Sequence, residues 1–278
     1  MRLATFNLLH GRSLSDGTVH ADRIAAAVAG LSADVLGLQE VDRDQPRSDR
    51  LDLTAVAADA LGARAHRFAA TIAGTPGQAW QPWHTDLGDT GPQYGIALVS
   101  RYPVRHWQLT RLPAAPVRAP VWVPGPGGGP VLARDEPRVL LAAVLDTPAG
   151  TVTVATTHLS FVPGWNLRQL RAAVRALHGL PAPRVLLGDL NLPAGVARAL
   201  TGWRPLGRTA TYPNPAPRIQ LDHVLIDRDG ADRLGPVVQV RAPQVPVSDH
   251  RPLVVHLDPA SYGAGGAGRR NTSSSPSS

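Results

Sequence analysis

Acids, amides and imidazoles stand beside apolar runs at several places along this chain. Asn7 follows LATF, Glu40 follows VLGLQ, and His158 closes TVTVATT. Asp189 and Asn191 follow RVLLG, and Asp249 and His250 precede PLVVHL. Loops at strand ends are where α/β proteins hold functional groups. Carboxylates and amides are the hard oxygen donors that Mg²⁺ requires, and Mg²⁺ keeps waters while using one or two protein carboxylates. Glu40 and Asp249 would supply those carboxylates. In Gly-Asp-Leu-Asn, positions 189 and 191 are two apart, so an extended backbone sends both side chains to one side. Gly188 lets the chain turn closely there. Each residue also has a plain alternative. Asn7 would serve as a turn residue, Asp189 and Asn191 as an Asx-turn after a strand, and Glu40 as a surface acid among the charged surface neighbours Asp42, Arg43 and Asp44.

The elements that position these residues follow from hydrophobic periodicity. Strands are expected at 3–6, 35–39, 94–100, 138–146, 151–159, 184–190, 219–227, 237–242 and 252–257. A Pro-Ala-Gly turn at 148–150 joins two of them as a hairpin. Helices are expected at 20–31, with Ile24, Val28 and Leu31 on one face, at 51–61, with Leu51, Ala55, Ala58 and Leu61 aligned, and at 166–180. Residues 74–93, with Trp80 and Trp83, and residues 112–137, with PGPGGGP, read as long surface loops. Strand–helix–strand early, a hairpin in the middle and further strands late imply a mixed sheet pair covered by helices. Residues 1–258 read as one unit. From Pro259 to Ser278 the sequence is small, polar and aperiodic, which implies a disordered tail.

Composition bounds the function. The chain has 278 residues, of which 43% are hydrophobic and 18% charged, enough apolar material for a core. It has no cysteine, which excludes disulfides, thiolate zinc sites and a cysteine nucleophile. No apolar run reaches the ~18 residues of a spanning helix. The N-terminal run is broken at Asn7 and lacks a small-residue cleavage site, so the expected location is cytoplasmic. The formal charge is +7. Such basicity suits an anionic substrate, but an Arg-, Ala-, Gly- and Pro-rich composition explains it equally well. Acids are nearly all Asp; the two Glu are Glu40 and Glu136.

NLLHG with Asn7, LGLQEVD with Glu40, TTHLS with His158, GDLNLP with Asp189 and Asn191, LDHVLI with Asp222, and SDHRPL with Asp249 and His250 together resemble the endonuclease/exonuclease/phosphatase family. These are the deoxyribonuclease I-like metal-dependent phosphoesterases. The resemblance spans roughly residues 1–258, in the family's order. It implies a four-layer α/β (α+β) sandwich of two packed mixed sheets flanked by helices. It implies that Glu40 is the principal Mg²⁺ ligand with Asn7 beside it, and that Asp249 is the second carboxylate at the metal. Asp189 would orient or deprotonate the attacking water, and Asn191 would hold a phosphate oxygen. His250 would stabilise the phosphate, with Asp222 fixing its ring and raising its pKa. His158 stands where the family has a second His or a Tyr facing the phosphate. In-line attack builds charge on equatorial and leaving oxygens, which a metal and a paired imidazole stabilise.

Other residues have secondary expectations. Glu136 and Arg138, entering a strand, would lie near the phosphate or form a strand-edge ion pair. Tyr94 and Gln93 would contact substrate at the rim. His10 would line the cleft or cap the Gly11 turn. His223, next to Asp222 on a strand, faces the other way and is structural. The six Trp are packing residues, and Arg168, Arg171 and Arg175 form a solvated helix face. The expected activity is a Mg²⁺-dependent phosphodiesterase of nuclease type, with Mn²⁺ as a substitute ion and a phosphodiester, nucleic acid included, as partner to a monomer. The alternatives are a phospholipid or inositol-phosphate phosphoesterase on the same fold, and a non-catalytic binding module.

Overall fold

Near-continuous apolar runs such as Val139–Leu145 and Val185–Leu187 cannot face water on either side, so they must form central strands covered on both faces. The computed structural model, which describes residues 1–123, 129–193, 195–230 and 233–258, has this arrangement. The expected tail at 259–278 lies outside the described residues. In chain order the elements are β1 (Arg2–Asn7), α1 (Ala21–Leu31), β2 (Val35–Arg43), α2 (Leu53–Leu61), β3 (Ala65–Gly74), β4 (Trp80–Pro82), β5 (Gln93–Ser100) and β6 (Val104–Leu112). Then come β7 (Arg118–Val123), β8 (Gly129–Arg134), β9 (Arg138–Thr147), β10 (Gly150–His158), α3 (Trp165–Leu177), β11 (Arg184–Asp189) and α4 (Val196–Thr201). β12 (Arg204–Pro205), β13 (Asp222–Ile226), β14 (Val237–Arg241) and β15 (Leu253–Leu257) complete the chain.

Two mixed sheets stack face to face. One has the order β14-β15-β1-β2-β5-β3-β4, the other β12-β13-β11-β10-β9-β6. Leu3, Val35, Leu98, Leu141, Val154, Leu187 and Val255 fill the space between them. Phe6, Leu36 and Leu38 on the outer face of the first sheet meet Ile24, Val28 and Leu61 of α1 and α2. Leu140 and Leu186 on the outer face of the second meet Leu170 and Leu177 of α3. The result is a four-layer α+β sandwich. Register aligns the strand ends that matter. β10 and β11 run parallel with His158 opposite Asp189, and β11 pairs antiparallel with β13, Asp189 opposite Asp222. β1 runs parallel to β2 with Asn7 opposite Gln39.

Local chemistry sets the helix ends. Asp52 caps α2 by accepting from the Thr54 and Ala55 N–H groups at 2.9 and 3.1 Å. The cap moves the start of this helix past Leu51, and its buried face is Thr54, Ala57, Ala58 and Leu61 rather than the expected one through Ala55. In α3, Arg168, Arg171 and Arg175 are exposed, as expected of a solvated face.

The sequence reading missed several strands. β3 and β6 carry His66, Arg67, Arg105 and His106 on exposed faces, because strands near a sheet edge need no continuous apolar run. Residues 74–93 are not all loop, since β4 pairs with β3 as a hairpin. In 112–137, β7 and β8 form a separate two-stranded ribbon. PGPGGGP begins at Pro124, and residues 124–128 lie outside the described residues.

At Gly37 on β2 the two sheets approach closely. A Cβ there would lie 2.6 Å from Thr156 Oγ1 and 2.9 Å from its Cβ. Gly37→Ala is therefore expected to cost ~1–3 kcal/mol through overpacking. Urea unfolding checks this, and unchanged stability would contradict the close approach.

Candidate active site

The site grows from the strand ends at one mouth of the sandwich. Its first determinant is a β-bulge. Leu38 and Val41 of β2 both pack in the helix-facing cluster, although three residues apart. They pair with Ala97 and Gly95 of β5, only two apart, so β2 carries one extra residue. The bulge holds Glu40 in the left-handed region, at φ +53°. Gln39 is pinned meanwhile, accepting from Thr5 Oγ1 at 3.1 Å and donating to Thr156 Oγ1 at 2.9 Å. Strict alternation would send Glu40 towards the helices; the bulge turns it to the mouth. Backbone strain of this kind persists where surrounding contacts over-determine it.

Asn7 links the acids. Its Oδ1 accepts from the Leu9 N–H at 3.1 Å, which fixes the amide orientation. Its Nδ2 donates to Glu40 Oε1 at 3.0 Å and to Asp189 Oδ2 at 3.1 Å. Leu9 and His10 beyond it are left-handed at φ +45° and +47°. His10 is driven down to a pKa of about 3 by burial, with the Arg47 and Arg12 charges adding to it.

Two imidazoles face Asp189 in opposite protonation states. His250 Nδ1 donates to Asp222 Oδ2 at 2.9 Å, and its Nε2 lies 3.7 Å from Asp189 Oδ2. Burial alone would strip its proton, but the Asp222 and Asp189 carboxylates outweigh burial and push its pKa up to about 10. His158 Nδ1 meets Arg138 Nη1 at 3.1 Å, so this nitrogen accepts and Nε2 carries the hydrogen, 3.6 Å from Asp189 Oδ2. Burial, with the Arg138 and His250 charges, holds the His158 pKa well below normal. One imidazole is thus a cation and the other a neutral donor. Tyr212 packs beside His250, ring centres 4.9 Å apart.

The β11 end differs from the extended reading. Asn191 is left-handed, at φ +48°, and its N–H donates to Asp189 Oδ1 at 3.0 Å. This is the Asx-turn alternative. Asn191 Nδ2 donates to Leu159 O at 2.9 Å, leaving a second amide hydrogen for a ligand. Asp189 is pushed up to about 6 by burial, against the pull of His250.

A model of the endonuclease/exonuclease/phosphatase family matches residues 4–250. The chain belongs to that family. No match to a curated protein is found. Among solved structures it is similar to a family member from Beutenbergia cavernae, at 24% identity over 92% of this chain and 70% of that one, TM-score 0.64. It is similar to a mannosyl-6-phosphatase from Bacteroides thetaiotaomicron, at 15% identity over 92% and 98% of the two chains, TM-score 0.59. It is also similar to sphingomyelinase C from Streptomyces griseocarneus, at 19% identity over 93% and 99%, TM-score 0.56. At these identities the likeness is one of fold.

Members of the endonuclease/exonuclease/phosphatase family act on phosphoesters and generally need a divalent ion, and two groups of residues here could hold one. Asp189, Asp222 and His250 offer atoms within 4.8 Å of one another. Asp189 gives one oxygen to the Asn191 N–H and the other to Asn7, and Asp222 gives Oδ2 to His250, while Asp222 Oδ1 is buried without a hydrogen-bond partner. Glu40 and Asp249 fit better. Asp249's carboxylate has no hydrogen-bond partner among the described residues, and Glu40 uses only Oε1. Burial first, then the Asp249 charge, pushes Glu40 up to about 7. A desolvated carboxylate facing a second acid is what a divalent cation relieves.

The structure brings Asn7, Glu40, His158, Asp189, Asp222 and His250 together, with Asp249 near Glu40 and His250. Glu136 and Tyr94 lie on the Glu40 flank, where both sense Arg138. Arg138 is buried and faces Glu136 and Asp135 at 3.6 and 3.8 Å. Gln93 is buried and donates to Gly88 O at 3.3 Å. His223 is structural, as expected, its Nε2 meeting Leu192 O at 2.9 Å. One expectation is corrected: Asp42 is not a surface acid. It is fully buried and gripped by Arg47. Arg47, Tyr212 and Ser248, which bridges Asn7 O and the His250 N–H, were missed. Only the folded loops bring them to the site, and no spacing announces them.

The raised Glu40 pKa carries a sign. In the metal-free protein its ionisation opposes folding; the cost is absent below about pH 4.5, grows through the interval to about 7 and is full above it. Glu40→Gln should therefore stabilise the metal-free protein at pH 8, on the order of 1–3 kcal/mol, and little at pH 4. Thermal unfolding in chelator checks this. A variant less stable than wild type at pH 8 would contradict the assignment.

Proposed function

We propose that the chain hydrolyses phosphate esters with Mg²⁺, or Mn²⁺ in its place, held by Glu40 and Asp249. The observation that carries this is the meeting of a desolvated carboxylate, Asp189, with an imidazolium and a neutral imidazole donor at one mouth. When bound, the ion would act as a Lewis acid on phosphate oxygens and neutralise the leaving oxygen. Asp189 takes the proton of the attacking water, with the Asn7 amide holding its carboxylate in place. His250, kept charged by Asp222, and the His158 N–H stabilise negative charge as it grows on the equatorial oxygens. Asn191 supplies its free amide hydrogen to one of them.

The substrate has two readings. A phosphodiester of nuclease type is supported by the net charge of +7 and by His at 158. A small ester with an uncharged, hydroxylated alcohol is favoured by the Glu40 flank. There Arg47 is matched by Asp42, and Arg138 faces both Asp135 and Glu136. A strand's next phosphate would meet there two guanidinium groups whose charge is already offset by acids. The fold carries both chemistries, since its similar structures include a phosphatase and a sphingomyelinase.

The test offers bis-p-nitrophenyl phosphate, plasmid DNA, RNA, sphingomyelin and a hexose 6-phosphate to purified protein with Mg²⁺ or Mn²⁺. Glu40→Gln, Asp189→Asn and His250→Ala should each lower turnover about 10²–10⁴-fold with fold intact. Near-normal turnover in these variants would refute the roles; inactivity of the folded wild type on every compound would favour a binding module. Asp222→Asn gives a separate reading through pH. Loss of Asp222 lowers the His250 pKa from about 10, so the imidazolium is lost earlier as pH rises. The alkaline limb of kcat should move to lower pH, and an unmoved limb would remove His250 from that role.

A further inference from the structure

Arg47 is held far more rigidly than a surface arginine. Its Nε and Nη2 donate to the two oxygens of Asp42 at 2.9 and 2.7 Å, and Ser48 Oγ adds a third bond to Asp42 at 3.0 Å. A forked contact to a buried acid fixes the guanidinium plane. The same guanidinium lies 5.5 Å from the centre of the Tyr94 ring. Tyr94 pairs with Asp42 across β2 and β5, which puts the two side chains on one face.

This arrangement leaves three polar groups unused. Arg47 Nη1 and the Tyr94 hydroxyl have no hydrogen-bond partner among the described residues. Glu136 has only the Arg138 guanidinium, at 3.6 Å, beyond hydrogen-bond length. The three sense one another's charge in every pairing, and Arg47 and Tyr94 each sense Glu40. A guanidinium held by Asp42, a buried phenol and a carboxylate therefore stand near one another and near the proposed metal ligand.

An alcohol group needs such a set: an acceptor for its proton and donors for its lone pairs. A second anionic group suits it less, because the Arg47 charge is already met by Asp42 and the Arg138 charge by Asp135 and Glu136. We propose that Arg47, with Tyr94 and Glu136, binds hydroxyl groups on the alcohol portion of the phosphate ester, and so makes the site selective for esters of polyols. The proposal rests on the phosphoesterase reading for where the phosphate sits. Arg47 is then a specificity-determining residue, and Asp42 and Ser48 are its positioning residues. A site built to hydrogen-bond substrate hydroxyls rejects analogues that lack them, because its own polar groups are then left unpaired.

The experiment uses the full chain in the Asp189→Asn background with Mg²⁺, which permits binding to be measured without turnover. Calorimetry compares a hexose 6-phosphate, glycerol 3-phosphate, phenyl phosphate and the dinucleotide pTpT. Removing Arg47 alone would leave Asp42 buried and unpaired, so Arg47→Gln is made together with Asp42→Asn; Tyr94→Phe is a second, conservative change. The expected result is that at least one hydroxylated ester binds about tenfold or more tightly than phenyl phosphate, and that the paired variant cuts this ratio below about threefold, with Tyr94→Phe between. Preference by the hexose ester alone identifies a ring polyol, and equal preference by glycerol 3-phosphate a vicinal diol. Absence of any preference, a ratio unchanged in the variants, or tighter binding of pTpT overturns the proposal. If the preference is present but wild type hydrolyses none of these esters, the hydrolase reading fails and the hydroxyl site stands. If wild type hydrolyses them without preference, the hydroxyl site alone falls.

Discussion

Mutual repulsion among carboxylates in a desolvated mouth is the constraint that the rest of this structure answers. Glu40, Asp189, Asp222 and Asp249 gather at one end of a two-sheet sandwich, where water screens them poorly. Each of the first three is met by a specific neighbour. The Asn7 amide stands between Glu40 and Asp189, and the His250 imidazolium stands between Asp189 and Asp222. The Glu40–Asp249 side is offset only in part, by the His250 charge and the Asn7 amide, and there a divalent ion is the natural complement.

The fold supplies these neighbours by register and by strain. His158, Asp189 and Asp222 sit abreast because β10, β11 and β13 end together. Glu40 reaches them through an inserted residue in β2, and Ser248 ties the β15 side to Asn7. Left-handed residues cluster on the same segments, at Leu9, His10, Glu40, Asn191 and Ser248. Such conformations cost free energy and are kept where packing enforces them. The apolar layers behind the mouth provide that enforcement, and their tight approach at Gly37 leaves little freedom for the sheets to shift.

Much of this was readable from the chain alone, for a physical reason. A buried strand is a run of apolar residues, so the polar residue that ends it stands out; Asn7, Glu40, His158 and Asp189 were found in this way. The family resemblance added their roles. Strands near the sheet edges, β3 and β6, were missed because a half-exposed strand has no apolar run to mark it. The bulge at Glu40 was invisible because it depends on pairing with β5. Asp42 looked like one of several surface acids, since only the folded loop brings Arg47 back onto it. Asp189 and Asn191 kept two readings, and the positive φ of Asn191 decided for the turn.

The account's central claim is that the ion belongs to Glu40 and Asp249, while Asp189 serves as base and Asp222 keeps His250 charged. A crystal of the protein soaked with Mn²⁺ tests this directly through the anomalous scattering of the ion. The account predicts a peak within coordination distance of the Glu40 and Asp249 carboxylates. A peak held by Asp189, Asp222 and His250, with Glu40 and Asp249 left unligated, would contradict it.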